Sequence, residues 1–299
     1  MSEVLSAATA EPIEDRIRRA EVLVEALPYI RRFSGHIVVI KLGGAVEVAD
    51  GDIDAVLQDV VLLRFVGVRP VLVHGGGAEI SAWQQRVGLE PRFVNGLRVT
   101  DGPTMEIAKM VLTGKVGPDI VSRINRLGAS AIGISGEDGP TLLVRARGTE
   151  AGTDLGFVGD VDQVNSEPLT AIIDQGRIPV VASIGLGYDG QAYNVNADSV
   201  AAELAVALNA TKLILLTDVE GVRDSSGTLL SELDAPSARL LIEQGTVRDG
   251  MIPKVRAALR AIEHGSTAHV IDGRVAHSLL LELLTERGVG TMFRAAETP

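Results

Sequence analysis

The sequence predicts an α/β protein: a three-layer α/β/α sandwich around a mainly parallel open sheet, with an N-terminal helix extension. The first observation behind this is a set of short runs rich in β-branched residues: Ile37–Lys41, Val71–His74, Ala131–Ser135, Ile178–Ile184, Lys212–Val219 and Ala268–Asp272. They are almost continuously apolar, as strands buried on both faces of a parallel sheet are. The second is that helical patterns alternate with them, near residues 52–66, 78–87, 103–127, 167–175, 198–208, 236–244, 253–263 and 275–286. The third is composition: 46% of residues are hydrophobic but only 3% aromatic, so the core is built from aliphatic side chains.

Taken in order, residues 1–12 are polar and acidic and are expected to be disordered. A helix begins at Ile13. Ile13, Ile17, Ala20, Val24 and Leu27 recur in steps of four and three, a narrow apolar seam suited either to a partner helix or to the chain's own core. Pro28 should kink or break this helix, with one further turn to Phe33. Two stretches interrupt the later strand–helix rhythm. Arg92–Thr100 and Thr141–Asn165 both read as hairpins.

Composition narrows the function. A net charge of −11 argues against a nucleic-acid partner, which needs a basic footprint. The absence of cysteine excludes disulfides, thiolate zinc sites and cysteine nucleophiles. The N-terminus does not read as a signal peptide, and no apolar run approaches the roughly 20 residues that span a bilayer. The expectation is a cytoplasmic protein that makes no membrane contact.

Two strands end in glycine turns that precede helices: Lys41-Leu42-Gly43-Gly44 and His74-Gly75-Gly76-Gly77. Ligands of open α/β sheets bind at the carboxyl ends of strands. Glycine there lets backbone N–H groups approach an anion, as a phosphate site requires. Neither turn is a P-loop. A G-x-G-x-x-G match at Gly185–Gly190 leads into a hairpin rather than a helix and is not a dinucleotide fingerprint. Lys41 ends a buried strand, where an unpaired charge is costly. Lys254 follows Pro253 in a first helical turn, where a cation opposes the helix dipole. Asn194-Val195-Asn196-Ala197-Asp198 precedes a helix, so Asn196 or Asp198 could serve as its N-cap. Arg98, in Asn95-Gly96-Leu97-Arg98-Val99-Thr100, would clamp a carboxylate if it points inward and would be a solvated strand residue if it points outward.

Together with Leu216-Thr217-Asp218-Val219-Glu220-Gly221 and Gly250-Met251-Ile252-Pro253-Lys254-Val255, these segments resemble the amino acid kinase family over about residues 14–295. The resemblance is strongest to members that phosphorylate N-acetyl-L-glutamate. It implies ATP with Mg2+ carried on the nucleotide, no protein-held metal, and transfer of the γ-phosphoryl group to the substrate's γ-carboxylate in arginine biosynthesis. Lys41 and Lys254 would stabilise the transition state, with Asp198 anchoring both. Gly44, Gly76, Gly77, Arg98, Asn194 and Asn196 would bind the acyl acceptor. Gly43, Lys212, Thr217, Asp218, Gly221, Gly250 and Met251 would line the ATP site. The implied organisation is an oligomerisation helix at 1–35, an acceptor lobe at 36–190 and an ATP lobe at 191–299.

The N-terminal helix is similar to that of arginine-inhibited members, in which it links dimers into a hexameric ring. Matching effector positions are Tyr29, Lys212, His269, Glu282 and Gly288. The resemblance leaves open N-acetyl-aminoadipate as substrate, a non-catalytic arginine sensor, and a nitrogen-signalling protein as partner. Leu42, Ala45-Val46-Glu47-Val48 and Gly51–Asp54 depart from the pattern of the inhibited members.

Overall fold

The computed structural model describes residues 12–44, 50–286 and 288–295. The expectations for residues 1–11 and for Ala45-Val46-Glu47-Val48 lie outside the described residues. One helix, α1 (Ile13–Phe33), precedes β1 (Ile37–Leu42), α2 (Asp50–Phe65), β2 (Arg69–His74), α3 (Gly77–Arg86) and the hairpin β3 (Phe93–Val94) and β4 (Leu97–Arg98). Next come α4 (Gly102–Val111), a π-helical turn (Leu112–Val116), α5 (Gly117–Arg126), β5 (Ala131–Ser135), β6 (Leu142–Ala146), β7 (Thr149–Glu150), β8 (Thr153–Asp154) and β9 (Val158–Val164). The chain continues with α6 (Glu167–Asp174), β10 (Ile178–Ala182), β11 (Ile184–Gly187), β12 (Ala192–Val195), α7 (Ala197–Ala207) and β13 (Lys212–Thr217). It closes with β14 (Glu232–Asp234), α8 (Ala235–Glu243), α9 (Met251–Ile262), β15 (Thr267–Asp272), α10 (Ser278–Leu284) and β16 (Thr291–Arg294).

The expected sandwich is present. Eight strands form one sheet in the order β14-β16-β15-β13-β1-β2-β10-β5. Every neighbouring pair is parallel except β15–β16. Alternate strand residues face opposite layers. Val38, Ile40, Leu42, Leu72, Ile214 and Leu216 pack with α2, α4, α5 and α10. Val39, Val71, Val73, Leu213 and Leu215 pack with α6, α7 and α9. Strands β6, β9, β11 and β12 close into a small separate barrel. Among the described residues, no helix is long and apolar enough to cross a membrane.

Several boundaries differ from expectation. Pro28 does not break α1, which runs unbroken through it. Val24, whose carbonyl loses its partner, is exposed, so that oxygen can be hydrated. The run Ile178–Ile184 is two strands: Ser183 separates β10 in the large sheet from β11 in the barrel. The helix expected over 103–127 contains the π turn. Strand β12 pairs with β11 and β9, so the barrel runs across residue 190, where the sequence reading placed a boundary, to Val195. The large sheet also runs across that expected boundary, where β1 pairs with β13. The apolar seam of α1 does not enter the core: Ile13, Ile17, Val24 and Leu27 are all at least half exposed, whereas Phe33 at its end is buried.

Strand β16 was not expected, yet its Phe293 is fully buried. Phe293→Ala should cost about 3–5 kcal/mol in urea unfolding. A loss below about 1 kcal/mol would mean that this strand is loosely docked.

Candidate active site

The carboxyl ends of β1, β2 and β13 lie side by side and border one site. Lys41 reaches it from β1, and Asp198 from the first turn of α7. Lys41 Nζ lies 3.0 Å from Asp198 Oδ1, and Lys254 Nζ lies 3.2 Å from Asp198 Oδ2. Helix α9 starts two residues before Pro253, so Lys254 sits at its fourth position and also donates to the Gly250 carbonyl at 3.4 Å. Lys41 and Asp198 are 7% and 5% exposed. Burial alone would raise the Asp198 pKa; the charges of Lys41 and then Lys254 outweigh it and hold the carboxyl below its ordinary value.

Asn196 is the N-cap of α7: its side-chain oxygen accepts from the N–H groups of Asp198 at 2.8 Å and Ser199 at 3.2 Å. The cap therefore fixes the backbone that carries the anchoring carboxylate. It also commits that oxygen, leaving only the amide nitrogen of Asn196 for a ligand. Asn194 donates to Thr100 Oγ1 at 3.3 Å.

The glycine turns are shaped by close approach. A Cβ on Gly43 would stand 2.4 Å from the Leu216 carbonyl oxygen, so only glycine lets the end of β1 lie against the end of β13. Gly76 has φ +157°, and a Cβ there would meet Leu112 Cδ2 at 2.6 Å. Burial pushes His74, which precedes the second turn, down to about 4 against a raising contact with the Gly75 carbonyl, so it is neutral at pH 7.

Gly76, Gly77, Arg98, Asn194 and Asn196 line one cavity of about 200 Å³. Arg98 points inward and is buried. It donates to Gln84 Oε1 at 2.5 Å, and to the Gly77 carbonyl at 2.7 Å and Ser81 Oγ at 2.8 Å. Its guanidinium carbon lies 4.7 Å from the centre of the Phe93 ring. All these partners are neutral, and burial lowers the Arg98 pKa. Among the described residues no carboxylate forms an ion pair with it. Gln84, Ser81, Thr100 and Phe93 were not singled out from the sequence. The spacing 77, 81, 84 along one helix face was the available signal for the first two.

Of the residues expected at the nucleotide, Thr217 ends β13 and Asp218 follows it, with Thr217 Oγ1 3.2 Å from Asp218 Oδ1. Gly250 and Met251 open α9 beside Lys254. Gly44 is the exposed end of the first turn, and Gly221 lies in the loop after β13. Lys212 requires a correction. It begins β13, at the opposite edge of the sheet from Thr217, and belongs with a different cavity. That cavity, of about 790 Å³, is lined by Tyr29, Phe33, Lys212, His269, Glu282 and Gly288. Lys212 Nζ is 3.1 Å from His269 Nε2, and His269 Nδ1 is 2.6 Å from Glu282 Oε1. Burial lowers the pKa of both His269 and Lys212. A neutral His269 accepts from the lysine and donates to the carboxylate.

The chain belongs to the amino acid kinase family, whose model matches residues 36–272. Its relatives narrow this further. It is 51% identical over 286 residues to an acetylglutamate kinase of Caldanaerobacter subterraneus subsp. tengcongensis, covering 94% of this chain and 95% of that one. It is 50% identical over 282 residues to an acetylglutamate kinase of Synechococcus elongatus, covering 93% and 92%. Among solved structures, the N-acetylglutamate synthase of Neisseria gonorrhoeae complexed with coenzyme A and L-arginine matches with a TM-score of 0.78 at 28% identity. That match covers 92% of this chain and 65% of the synthase, so the chain spans about two thirds of the synthase's length. Giardia carbamate kinase shares the fold, with a TM-score of 0.66 at 18% identity over 87% of this chain and 99% of that one.

Asp198→Asn would leave two close ammonium groups without their counter-charge, an expected loss of about 3–5 kcal/mol at neutral pH. The folded-state pKa of Asp198 lies below the unfolded value of about 3.9. Its stabilisation is therefore fully present above that value and disappears as pH falls through the folded pKa. Urea unfolding of parent and variant should show a stability gap that narrows on acidification below about pH 4. A gap that widens there would contradict the assignment.

Proposed function

We propose that the chain transfers the γ-phosphoryl group of ATP to the γ-carboxylate of N-acetyl-L-glutamate, giving N-acetyl-L-glutamyl 5-phosphate, in the cytoplasm. The observation that carries this is the pairing of two lysines on one buried aspartate beside a cavity holding a buried arginine with neutral partners only. Relatives of about 50% identity named acetylglutamate kinase support the same reading.

Arg98 receives the α-carboxylate of the acceptor, and Asn194 orients its acetamido group. The γ-carboxylate is already ionised at neutral pH, so no general base is required. It attacks in line, and charge spreads over the oxygens of the moving phosphoryl group. Lys41 and Lys254 hold that charge from the β1 and α9 sides. Asp198 keeps both ammonium groups pointed at the reaction path and does not move a proton. Backbone N–H groups of Gly44, Gly76 and Gly77 add donors to the phosphoryl and acceptor oxygens. Gly43, Thr217, Asp218, Gly221, Gly250 and Met251 border the nucleotide. Among the described residues no three His, Asp or Glu side chains cluster to hold a metal. Magnesium would arrive on the nucleotide's phosphates, where it would neutralise negative charge.

A regulatory reading has its own support. The second cavity gathers Tyr29, Lys212, His269, Glu282 and Gly288 between α1 and the strand starts. Glu282 offers a carboxylate to a guanidinium there, and L-arginine is the proposed effector. The exposed seam of α1 suits the same seam of a second copy, which would join dimers into a hexamer as a trimer of dimers.

ATP-dependent hydroxamate formation from N-acetyl-L-glutamate and hydroxylamine tests the main reading, with glutamate and N-acetyl-aminoadipate as comparisons; no hydroxamate from N-acetyl-L-glutamate would refute it. Lys41→Ala and Lys254→Ala should each lower kcat by about 10²–10³-fold. Arg98→Ala should act mainly by raising KM for the acceptor. Activity indifferent to L-arginine would remove the regulatory reading alone. Deleting residues 1–33 should reduce a hexamer to dimers in light scattering, and an unchanged mass would remove the ring.

A further inference from the structure

Helix α3 presents Gly77, Ser81 and Gln84 at intervals of four and three residues, one stripe along a single face. All three accept hydrogen bonds from the Arg98 guanidinium. Gln84 is the innermost, 2% exposed. Its orientation is fixed from the far side, where its Nε2 donates to Thr104 Oγ1 at 3.0 Å. Thr104 lies in the first turn of α4, which is capped by Asp101. The side-chain oxygen of Gln84 is thereby turned toward the arginine, and Arg98 is held by α3 and, through Gln84, by α4.

The chemical type of this support is unexpected if stability were its only purpose. A buried guanidinium pairs best with a carboxylate, in bidentate and charge-assisted geometry. Glutamate has the same shape as glutamine and would neutralise Arg98 in place. A neutral amide, a neutral hydroxyl and a backbone carbonyl stand there instead. Each aligns the guanidinium, none cancels its charge, and N–H donors remain over for a ligand.

We propose that the Gly77–Ser81–Gln84 stripe determines specificity for an acceptor bearing a free α-carboxylate, and that Gln84 is its principal positioning residue. The stripe fixes Arg98 with neutral acceptors only, so the ligand's carboxylate supplies the missing counter-charge. Binding energy then depends on a negative charge at that position of the acceptor. An acceptor whose α-carboxylate is amidated leaves the guanidinium unpaired in the cavity and is rejected. This rests on the reading of Arg98 as the carboxylate clamp.

The test is steady-state kinetics of the full chain carrying Gln84→Glu or Gln84→Met, beside Arg98→Ala, with N-acetyl-L-glutamate and ATP varied in turn. Gln84→Glu should raise KM for N-acetyl-L-glutamate by about tenfold or more, because an internal carboxylate takes the place of the ligand's. Its KM for ATP should stay within about twofold of the parent, and its Tm should not fall. Gln84→Met, which removes alignment but leaves the charge, should raise the acceptor KM less. A purely structural role predicts the reverse order, since glutamate keeps the bond to Arg98 and methionine loses it. An unchanged acceptor KM in Gln84→Glu, with a raised one in Arg98→Ala, overturns this inference and leaves the function intact. An unchanged acceptor KM in Arg98→Ala overturns the clamp itself. Should Gln84→Glu not fold, Ser81→Asp brings a carboxylate to the same stripe and carries the same expectation.

Discussion

The carboxylate of Asp198 sits between two ammonium groups that reach it from different elements, and the geometry of the candidate active site follows from that contact. Lys41 comes from the central strand β1, Lys254 from α9, and the aspartate from the capped start of α7. Two cations this close repel, and burial magnifies the repulsion. A shared anion offsets it while leaving the pair net positive. On the proposed reaction path that residual charge is what an incoming phosphoryl group would meet, in a protein whose overall charge is −11. Asn196 contributes at one remove, by holding the backbone from which the aspartate projects. Gly43 contributes by allowing β1 to end flush against β13.

The sheet separates two kinds of site by polarity. Carboxyl ends of the strands hold the glycine turns and both lysines. The opposite ends hold Lys212 at the start of β13 and His269 near the start of the neighbouring β15, two residues past Thr267, the register partner of Lys212. A six-residue strand spans about 17 Å at roughly 3.3 Å per residue, so the two sites are distinct yet joined by the same strands. Helix α10 adds a second connection. It carries Glu282 into the lower cavity, and the backbone of Leu279 and Leu280 in its first turn faces the buried Asp59 of α2. His277 closes on the same carboxylate at 2.6 Å. A shift of α10 would therefore be felt in α2, the helix that follows the first glycine turn.

Much of this was legible in the sequence because parallel strands covered on both faces leave continuous apolar runs and glycine turns mark their carboxyl ends. The two last strands of the sheet on one side, β14 and β16, were not read: they are only three and four residues long and mix charge with apolar residues. The run Ile178–Ile184 could not be divided from its pattern, since both halves are buried, in different sheets. The inward turn of Arg98 depended on which face of a two-stranded hairpin meets α3, which spacing does not fix. Lys254 and Asp198 are 56 residues apart, so their pairing is a tertiary fact that the family resemblance implied but local pattern could not. Lys212 shows the opposite failure. The resemblance placed it both at the nucleotide and among the effector positions; strand direction puts it at the far end from Thr217, with Tyr29, His269, Glu282 and Gly288.

The account stands or falls on whether both lysines address the transferred group together. The most direct measurement is a crystal structure with MgADP, aluminium fluoride and N-acetyl-L-glutamate. The account predicts a planar fluoride complex between nucleotide and acceptor, with Nζ of both Lys41 and Lys254 within hydrogen-bonding distance of its fluorines and each still bonded to Asp198. A complex in which either lysine turns away from the fluoride while the acceptor is in line would contradict it.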